Sequence, residues 1–355
     1  MTTSTGISDR SVLGAEFAPR TTYLNTASYG LLPRRAVEAV RALAAELASG
    51  ERGASGDFSK VDEARASFAR LAGVAPSRVA SGGSVAVHVG LIAASLPAGA
   101  EVLLPEGDFS SLINPFVLRG DLKPRFAPLE ELADAVRPET ALVAFSTVQS
   151  ADGRTADGAA IRAAATAQGA RTLADATQSV GWLPFDAGAY DYTVTGAFKW
   201  LLCPRGTSFL TVTEAAQESL TPLHGGWLAS ADLWRSTYGP LAEVAPDARR
   251  FDEPPAFLAH HGAAAALSLV EEIGVAAIHR HDLALAARYR AGLAALGHTP
   301  VPGASPIVSV PGLADREPSL NRAGVVTSAR AGHLRATFHL YNTESDVDRL
   351  LDVLA

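Results

Sequence analysis

Apolar positions along this chain follow two periods. Between residues 78 and 212, short apolar runs recur at 78–80, 101–104, 141–146, 171–174, 191–195 and 206–212. Gly, Pro, Asp or Ser residues punctuate them, as they do buried strands. Helical spacing fills much of the intervening chain, at 60–72 upstream, then from Ser84 to about residue 96, at 130–136 and at 157–168. Strands alternating with helices predict a largely parallel sheet covered on both faces, with its ligand at the strand carboxyl ends. Upstream, Val37, Val40, Leu43 and Leu47 mark a helix over 34–48 that opens after Pro33. Helices at 263–273, 282–296 and 346–354 with strands at 307–310 and 333–338 predict a smaller α+β domain. The expected division is an arm at 1–20, a large domain at 21–240 whose first segment is free to pack on the small domain, and the small domain at 241–355. A Gly/Ser loop is expected at 50–57.

Composition narrows the classes. The chain has 355 residues, 48% hydrophobic and 19% charged, with a formal net charge of −7. That suits a globular protein with a large core, in two domains or one large α/β unit. No basic block invites nucleic acid. The single cysteine, Cys203, excludes an internal disulfide and a multi-cysteine metal site. His260, His261, His279 and His281 lack a carboxylate or cysteine at ligand spacing, so they read as solvated helix residues and no metal is expected. The first ten residues, MTTSTGISDR, lack the apolar segment of a signal peptide, and no apolar run reaches membrane length. A cytoplasmic protein without a membrane partner is expected.

The chemistry concentrates in residues 174–210, ADATQSVGWLPFDAGAYDYTVTGAFKWLLCPRGTSFL. Asp175 ends one buried strand. Lys199 follows another, between Phe198 and Trp200. Such a lysine either lays its stem on a core with the ammonium in water, or is a desolvated amine of lowered pKa that can form a Schiff base with an aldehyde. The upstream carboxylate favours the second reading. A pyridoxal phosphate enzyme needs an amine to hold the cofactor and a carboxylate to keep its pyridine nitrogen protonated. Asp175 and Lys199, 24 residues apart, supply both. Earlier, Ser81-Gly82-Gly83-Ser84 precedes a helix start, where bare backbone N–H groups and the helix dipole favour an anion. The spacing is neither GxxxxGK[ST] nor GxGxxG. It suits a phosphate, or a plain glycine turn with Ser84 as N-cap.

D-A-x-Q followed by an apolar-flanked lysine resembles the class V aminotransferase family, the cysteine desulfurase-like pyridoxal phosphate enzymes. YLNTASYG at 23–30 and HLRATFHLYNTESDVDRL at 333–350 resemble it too, in the right order, so the likeness runs from about residue 21 to 355. It implies the PLP-dependent transferase-like fold, an α/β architecture with a mostly parallel sheet in a large domain plus a smaller α+β domain. It makes Lys199 the residue that carries the cofactor, Asp175 the partner of the pyridine nitrogen and Gln178 a contact of the ring oxygen. Gly83, Ser84 and Val85 would hold the phosphate. Phe109 would stack on the ring, where desulfurases typically carry His. Gln149 or Ser150 would touch the phenolic oxygen or the substrate carboxylate. Desulfurases keep a phosphate-binding Ser three residues before the lysine. Gly196 stands there, so Thr195 or the Gly196 N–H takes that contact. Arg335 would fork the substrate α-carboxylate, with Arg330 a second candidate, and Asn25 and residues 27–29 would line the site. HGGW at 224–227 and RRFDEPPAF at 249–257 resemble segments that reach the phosphate and substrate, some from a second subunit, which implies a homodimer with shared sites. Desulfurases attack with a cysteine on the loop before the C-terminal strand, and residues 312–331 contain none. The implied reaction joins an amino acid to the cofactor as an external aldimine and passes its Cα proton to Lys199. Transamination or C–S-lyase-like β-elimination follows, ahead of epimerisation, sulfur transfer or a non-catalytic cofactor-binding relative.

Overall fold

The computed structural model describes residues 10–50 and 58–355. Residues 1–9 of the expected arm, and all but the first residue of the loop expected at 50–57, lie outside the described residues. The rest of the arm forms helix α1 (Arg10–Glu16), followed by β1 (Thr22–Tyr23), α2 (Arg34–Ser49) and α3 (Ser59–Leu71). The main sheet is then laid down by β2 (Val79–Gly82), α4 (Val85–Ser95), β3 (Glu101–Pro105), α5 (Ser110–Leu118), β4 (Lys123–Ala127), β5 (Thr140–Ser146), α6 (Gly158–Gln168), β6 (Arg171–Asp175), β7 (Tyr192–Gly196) and β8 (Ser208–Val212). Its seven strands run in the order β2-β8-β7-β6-β5-β3-β4. Only β8 is antiparallel to its neighbours, so the carboxyl ends of the other six share one edge.

Alternation along β7 and β8 sends side chains to two cores. Tyr192, Val194, Leu210 and Val212 pack with Val89 and Ile92 of α4. Phe209 packs on the other face against Phe68 of α3, rings stacked at 4.2 Å. The helix expected at 130–136 shrinks to a single 3-10 turn at Leu129–Glu131. Pro128 and Pro138 bracket that segment, and so short a stretch cannot repay helix nucleation.

After the short α7 (Glu214–Gln217), the chain forms α8 (Phe257–Ile273), α9 (Val275–Ala295), β9 (Ile307–Pro311), α10 (Glu317–Arg322), β10 (Val325–Val326), β11 (Ser328–Arg330), β12 (His333–Thr337) and α11 (Glu344–Leu354). The two long helices start six or more residues before the expected positions and meet at Gly274, whose φ of 83° permits an 80° bend. Among the described residues no single helix is long and apolar enough to cross a membrane. Ala263, Leu267 and Val270 of α8 share the core of Phe68 and Trp200, so a boundary at residue 240 separates α8 from the core that buries it. The three-stranded sheet β11-β12-β9 packs its own core against α9 and α11, with Leu24, Tyr289 and Phe338 at its centre. The segment after residue 20 joins that unit: β1 pairs parallel with β10, and Asn25 bridges to Thr337.

The histidines are not solvated as expected. His260, His261 and His281 are buried, and His279 stacks on Trp182 at 5.7 Å, the rings nearly parallel at 6°. They stand on the packed faces of alanine-rich helices, which polar spacing alone does not reveal.

Candidate active site

The carboxyl edge of the main sheet opens into a cavity of about 640 Å³. Residues just beyond five strands line it: Gly83 to Val85 after β2, Asp108 and Phe109 after β3, Ser146 and Ser150 at and after β5, Asp175 and Thr177 at and after β6, and Phe198 and Lys199 after β7. Ser28, Arg205, Arg330 and Arg335 close its other side. The volume suits a small cofactor with its substrate.

Lys199 sits on a loop whose backbone is pinned from below. Gly30 N donates to Phe198 O at 2.9 Å and Leu202 N to Lys199 O at 3.2 Å. His339 Nε2 donates to Trp200 O at 3.0 Å, and its Nδ1 lies 2.8 Å from Asp282. A Cβ on Gly30 would stand 2.0 Å from Lys199 O, so only glycine lets the N-terminal segment approach this closely. The two non-glycine residues with positive φ among those described, Leu202 at 58° and Ala331 at 48°, both flank the site. Such backbone is costly and persists where surrounding structure enforces it.

The side chain of Lys199 is buried, with Nζ 5.2 Å from the Phe109 ring centroid and 5.7 Å from that of Phe198. Burial drives its pKa down to about 8, the charges of Arg335, Arg205 and Arg330 add to the fall, and Asp175 opposes it. Of the two sequence readings, the desolvated amine is the one the geometry contains. Asp175 is buried and its pKa is pushed up to about 6 by burial, against the hydrogen bonds from Thr177. Its Oδ1 accepts from Thr177 N at 2.9 Å. Phe109 leaves 47% of its surface exposed, an open aromatic face beside the amine.

Other expected contacts fall differently. Gln149 does not line the cavity: its Nε2 donates to Asp108 Oδ2 at 3.0 Å. Asp108, unforeseen from sequence, also accepts from Phe109 N at 2.6 Å and from both Ser146 N and Oγ. Four donors thus fix the turn that presents Phe109. Ser150 does line the cavity and gives its carbonyl to Arg335. Gln178 faces the cavity, but its Oε1 accepts from Trp200 Nε1 at 2.7 Å and its Nε2 donates to Ala27 O at 3.0 Å. It therefore braces the lysine loop against the N-terminal segment. Thr195 is paired with Phe209, points to the face opposite α4 and does not line the cavity. The Gly196 N–H is spent on Thr177 Oγ1 at 2.9 Å. Neither residue presents a free donor to the cavity.

What remains for an anion is the start of α4. Ser84 is its N-cap, accepting from Val87 N, and Gly83, Ser84 and Val85 open on the cavity. The place already draws a carboxylate: Glu253 Oε2 accepts from Gly83 N at 2.7 Å. His88, a turn further in, is buried with Nε2 unpartnered, and burial drops its pKa to about 4. An anion-drawing helix start, an open aromatic face, a buried carboxylate and a desolvated amine around one cavity fit pyridoxal phosphate.

Arg335 lies in β12, 2% exposed. Its Nε donates to Ser328 Oγ at 3.1 Å, its Nη2 to Ser28 Oγ at 2.7 Å and more weakly to Asn25 Oδ1 at 3.5 Å. None of these partners is a carboxylate. Burial and the neighbouring Arg330 pull its pKa down to about 9. Ser28 was missed in the sequence as a specific contact, although it sits inside the segment expected to line the site.

Lysine, carboxylate and anion seat at the carboxyl edge of a mixed, mostly parallel sheet define a pyridoxal-phosphate-dependent enzyme. Comparison with known proteins agrees and is more specific. Residues 23–350 match the model of the aminotransferase class-V family. The uncharacterized aminotransferase YcbU of Bacillus subtilis (strain 168) is 29% identical over 317 residues, covering 83% of each chain. Isopenicillin N epimerase of Streptomyces clavuligerus is 32% identical over 233 residues, 59% of this chain and 58% of that one. In fold, the chain is similar to the cystine C–S lyase C-DES solved with cysteine persulfide, at a TM-score of 0.85, 24% identity and 94% and 97% coverage. The chain belongs to the aminotransferase class-V family, and its cofactor is pyridoxal phosphate.

Proposed function

We propose that the enzyme removes the Cα proton of an amino acid with Lys199 as the only proton carrier, and completes a transamination or a β-elimination. The observation that carries this reading is the buried Lys199 amine, its pKa lowered to about 8, facing a cavity that also holds a buried arginine with no carboxylate partner among the described residues. Bound pyridoxal phosphate supplies the electron sink for the pair left at Cα. The chain's own residues do the rest. Lys199 anchors the cofactor and moves the proton. Asp175 holds the ring nitrogen protonated, Phe109 offers its face to the ring, and the start of α4 takes the phosphate. Arg335 orients the substrate by its α-carboxylate, a fork-shaped donor meeting a fork-shaped acceptor.

Two observations favour this over the other reactions of the scaffold. Epimerisation by a two-base route needs a second proton carrier, and Asp108, the other acidic group near Phe109, has both oxygens occupied by donors. Sulfur transfer needs a reactive thiolate, and Cys203 is fully buried, outside the cavity, with burial pushing its thiol pKa far up. The test is to load the protein with pyridoxal phosphate and offer a panel of L-amino acids and S-substituted cysteines. Pyruvate with ammonia marks elimination. An oxo acid with pyridoxamine phosphate marks transamination. Racemised substrate alone, or persulfide on Cys203, contradicts the proposal.

We also propose a cytoplasmic homodimer. The lone cysteine asks for no oxidising compartment, and what supports the dimer is the resemblance of the 224–227 and 249–257 segments to family segments that some members supply from a second subunit. Light scattering that returns a fully active monomer overturns the dimer.

A further inference from the structure

The cavity carries more positive charge than the proposed reaction uses. Arg205, Arg330 and Arg335 all line it. Among the described residues their partners are hydroxyls, an amide oxygen, carbonyls and aromatic rings, and never a carboxylate. Arg330 and Arg335 converge: the Nη2 atoms of both donate to Ser28 Oγ, at 3.2 and 2.7 Å. Arg330 is presented there by a two-residue hairpin, Ala331-Gly332, with φ of 48° and 79°. Arg205 approaches from the lysine side. Its guanidinium lies 4.6 Å from the Phe198 ring centroid and 5.4 Å from that of Tyr29, the neighbours in sequence of Lys199 and Ser28. Stacking on a ring leaves the N–H edge of a guanidinium free to bind an anion.

The charge count then exposes a surplus. The phosphate is drawn to the start of α4, and one α-carboxylate satisfies Arg335. Arg205 and Arg330 still face the cavity, neither paired with a carboxylate among the described residues, and like charges so placed repel one another. We propose that the enzyme selects amino acids whose side chain carries a second anionic group, a carboxylate, held between Arg205 and Arg330. The inference rests on the reading of Arg335 as the α-carboxylate seat.

The experiment compares isosteres on the pyridoxal-phosphate-loaded enzyme. The visible cofactor band is titrated with L-aspartate against L-asparagine and L-glutamate against L-glutamine. One acid of the two pairs is expected to bind at least about tenfold tighter than its amide, as a charge-assisted contact provides. Arg205→Gln and Arg330→Gln should each reduce that ratio about three- to tenfold, the lower end reflecting their exposure to solvent. Raising the salt concentration on the unaltered enzyme should shrink the same ratio without any mutation. Cofactor affinity is measured in parallel by fluorescence. Equal affinity for acid and amide in both pairs overturns the inference. So does an Arg205→Gln protein that loses cofactor affinity but keeps the acid-to-amide ratio, because Arg205 would then serve the phosphate. A loaded enzyme whose band no amino acid perturbs refutes the reading of the site itself, and this inference with it.

Discussion

Replacing Arg335 probes the substrate end of the site. The guanidinium is buried and held by Ser28, Ser328 and the Ser150 carbonyl, with no carboxylate of its own among the described residues. An arriving α-carboxylate gains a charge-assisted, bidentate contact, worth about 1.5–3 kcal/mol. Arg335→Ala should therefore raise KM for an amino acid roughly 10- to 150-fold. Arg335→Lys should recover only part, because an ammonium cannot fork. The control is the matching amine without a carboxylate: its weak binding should not depend on residue 335, so the amino-acid-to-amine preference collapses in the alanine variant. Circular dichroism and cofactor content establish that the variants fold. An unchanged KM for the amino acid, with fold and cofactor intact, would refute the assignment.

Asp175→Asn should keep the cofactor but exchange the substrate Cα proton for deuterium about 100-fold more slowly, the scale of losing one aimed electrostatic group; unchanged exchange by NMR would remove Asp175 from the ring nitrogen. The cofactor-free protein should capture pyridoxal phosphate faster as pH rises, with a midpoint near 8, because only the neutral amine attacks an aldehyde and burial lowers the Lys199 pKa from 10.5 to about 8. At pH 7 that leaves roughly one amine in ten neutral, against about 0.03% for an ordinary lysine. A stopped-flow profile still rising steeply above pH 9.5 would contradict the desolvated amine.

Much of the site was legible because its residues stand at strand ends that apolar runs announce. The runs at 171–174 and 191–195 place Asp175 and Lys199, and both lie in the cavity as their neighbours suggest. Gly83 to Val85 and Phe109 follow from the same rule. The errors have physical causes. Gln149 follows a strand end but turns to Asp108, a partner 41 residues away that no local pattern reveals. Thr195 sits two residues from a turn, and strand parity, which spacing to Lys199 does not disclose, sends it to the opposite face. Arg205 was passed over because a charged residue between Pro204 and Gly206 reads as a turn. Only the fold brings it over Phe198 and Tyr29. The start of α8 was placed late because Phe257, Leu258 and Ala259 precede two histidines that read as polar, while the fold buries both.

The central claim, that Lys199 is the cofactor's covalent anchor, has a direct chemical test. The chain contains two other lysines, Lys60 and Lys123. Lys60 is paired with Glu63 at 2.6 Å and Lys123 is exposed at the start of β4, so neither is desolvated. The protein is loaded with pyridoxal phosphate, reduced with borohydride, digested and read by mass spectrometry. The account predicts one reduced cofactor per chain, on the peptide containing Lys199, and none on a folded Lys199→Ala protein. A label on Lys60 or Lys123, or one that persists in Lys199→Ala, would contradict it.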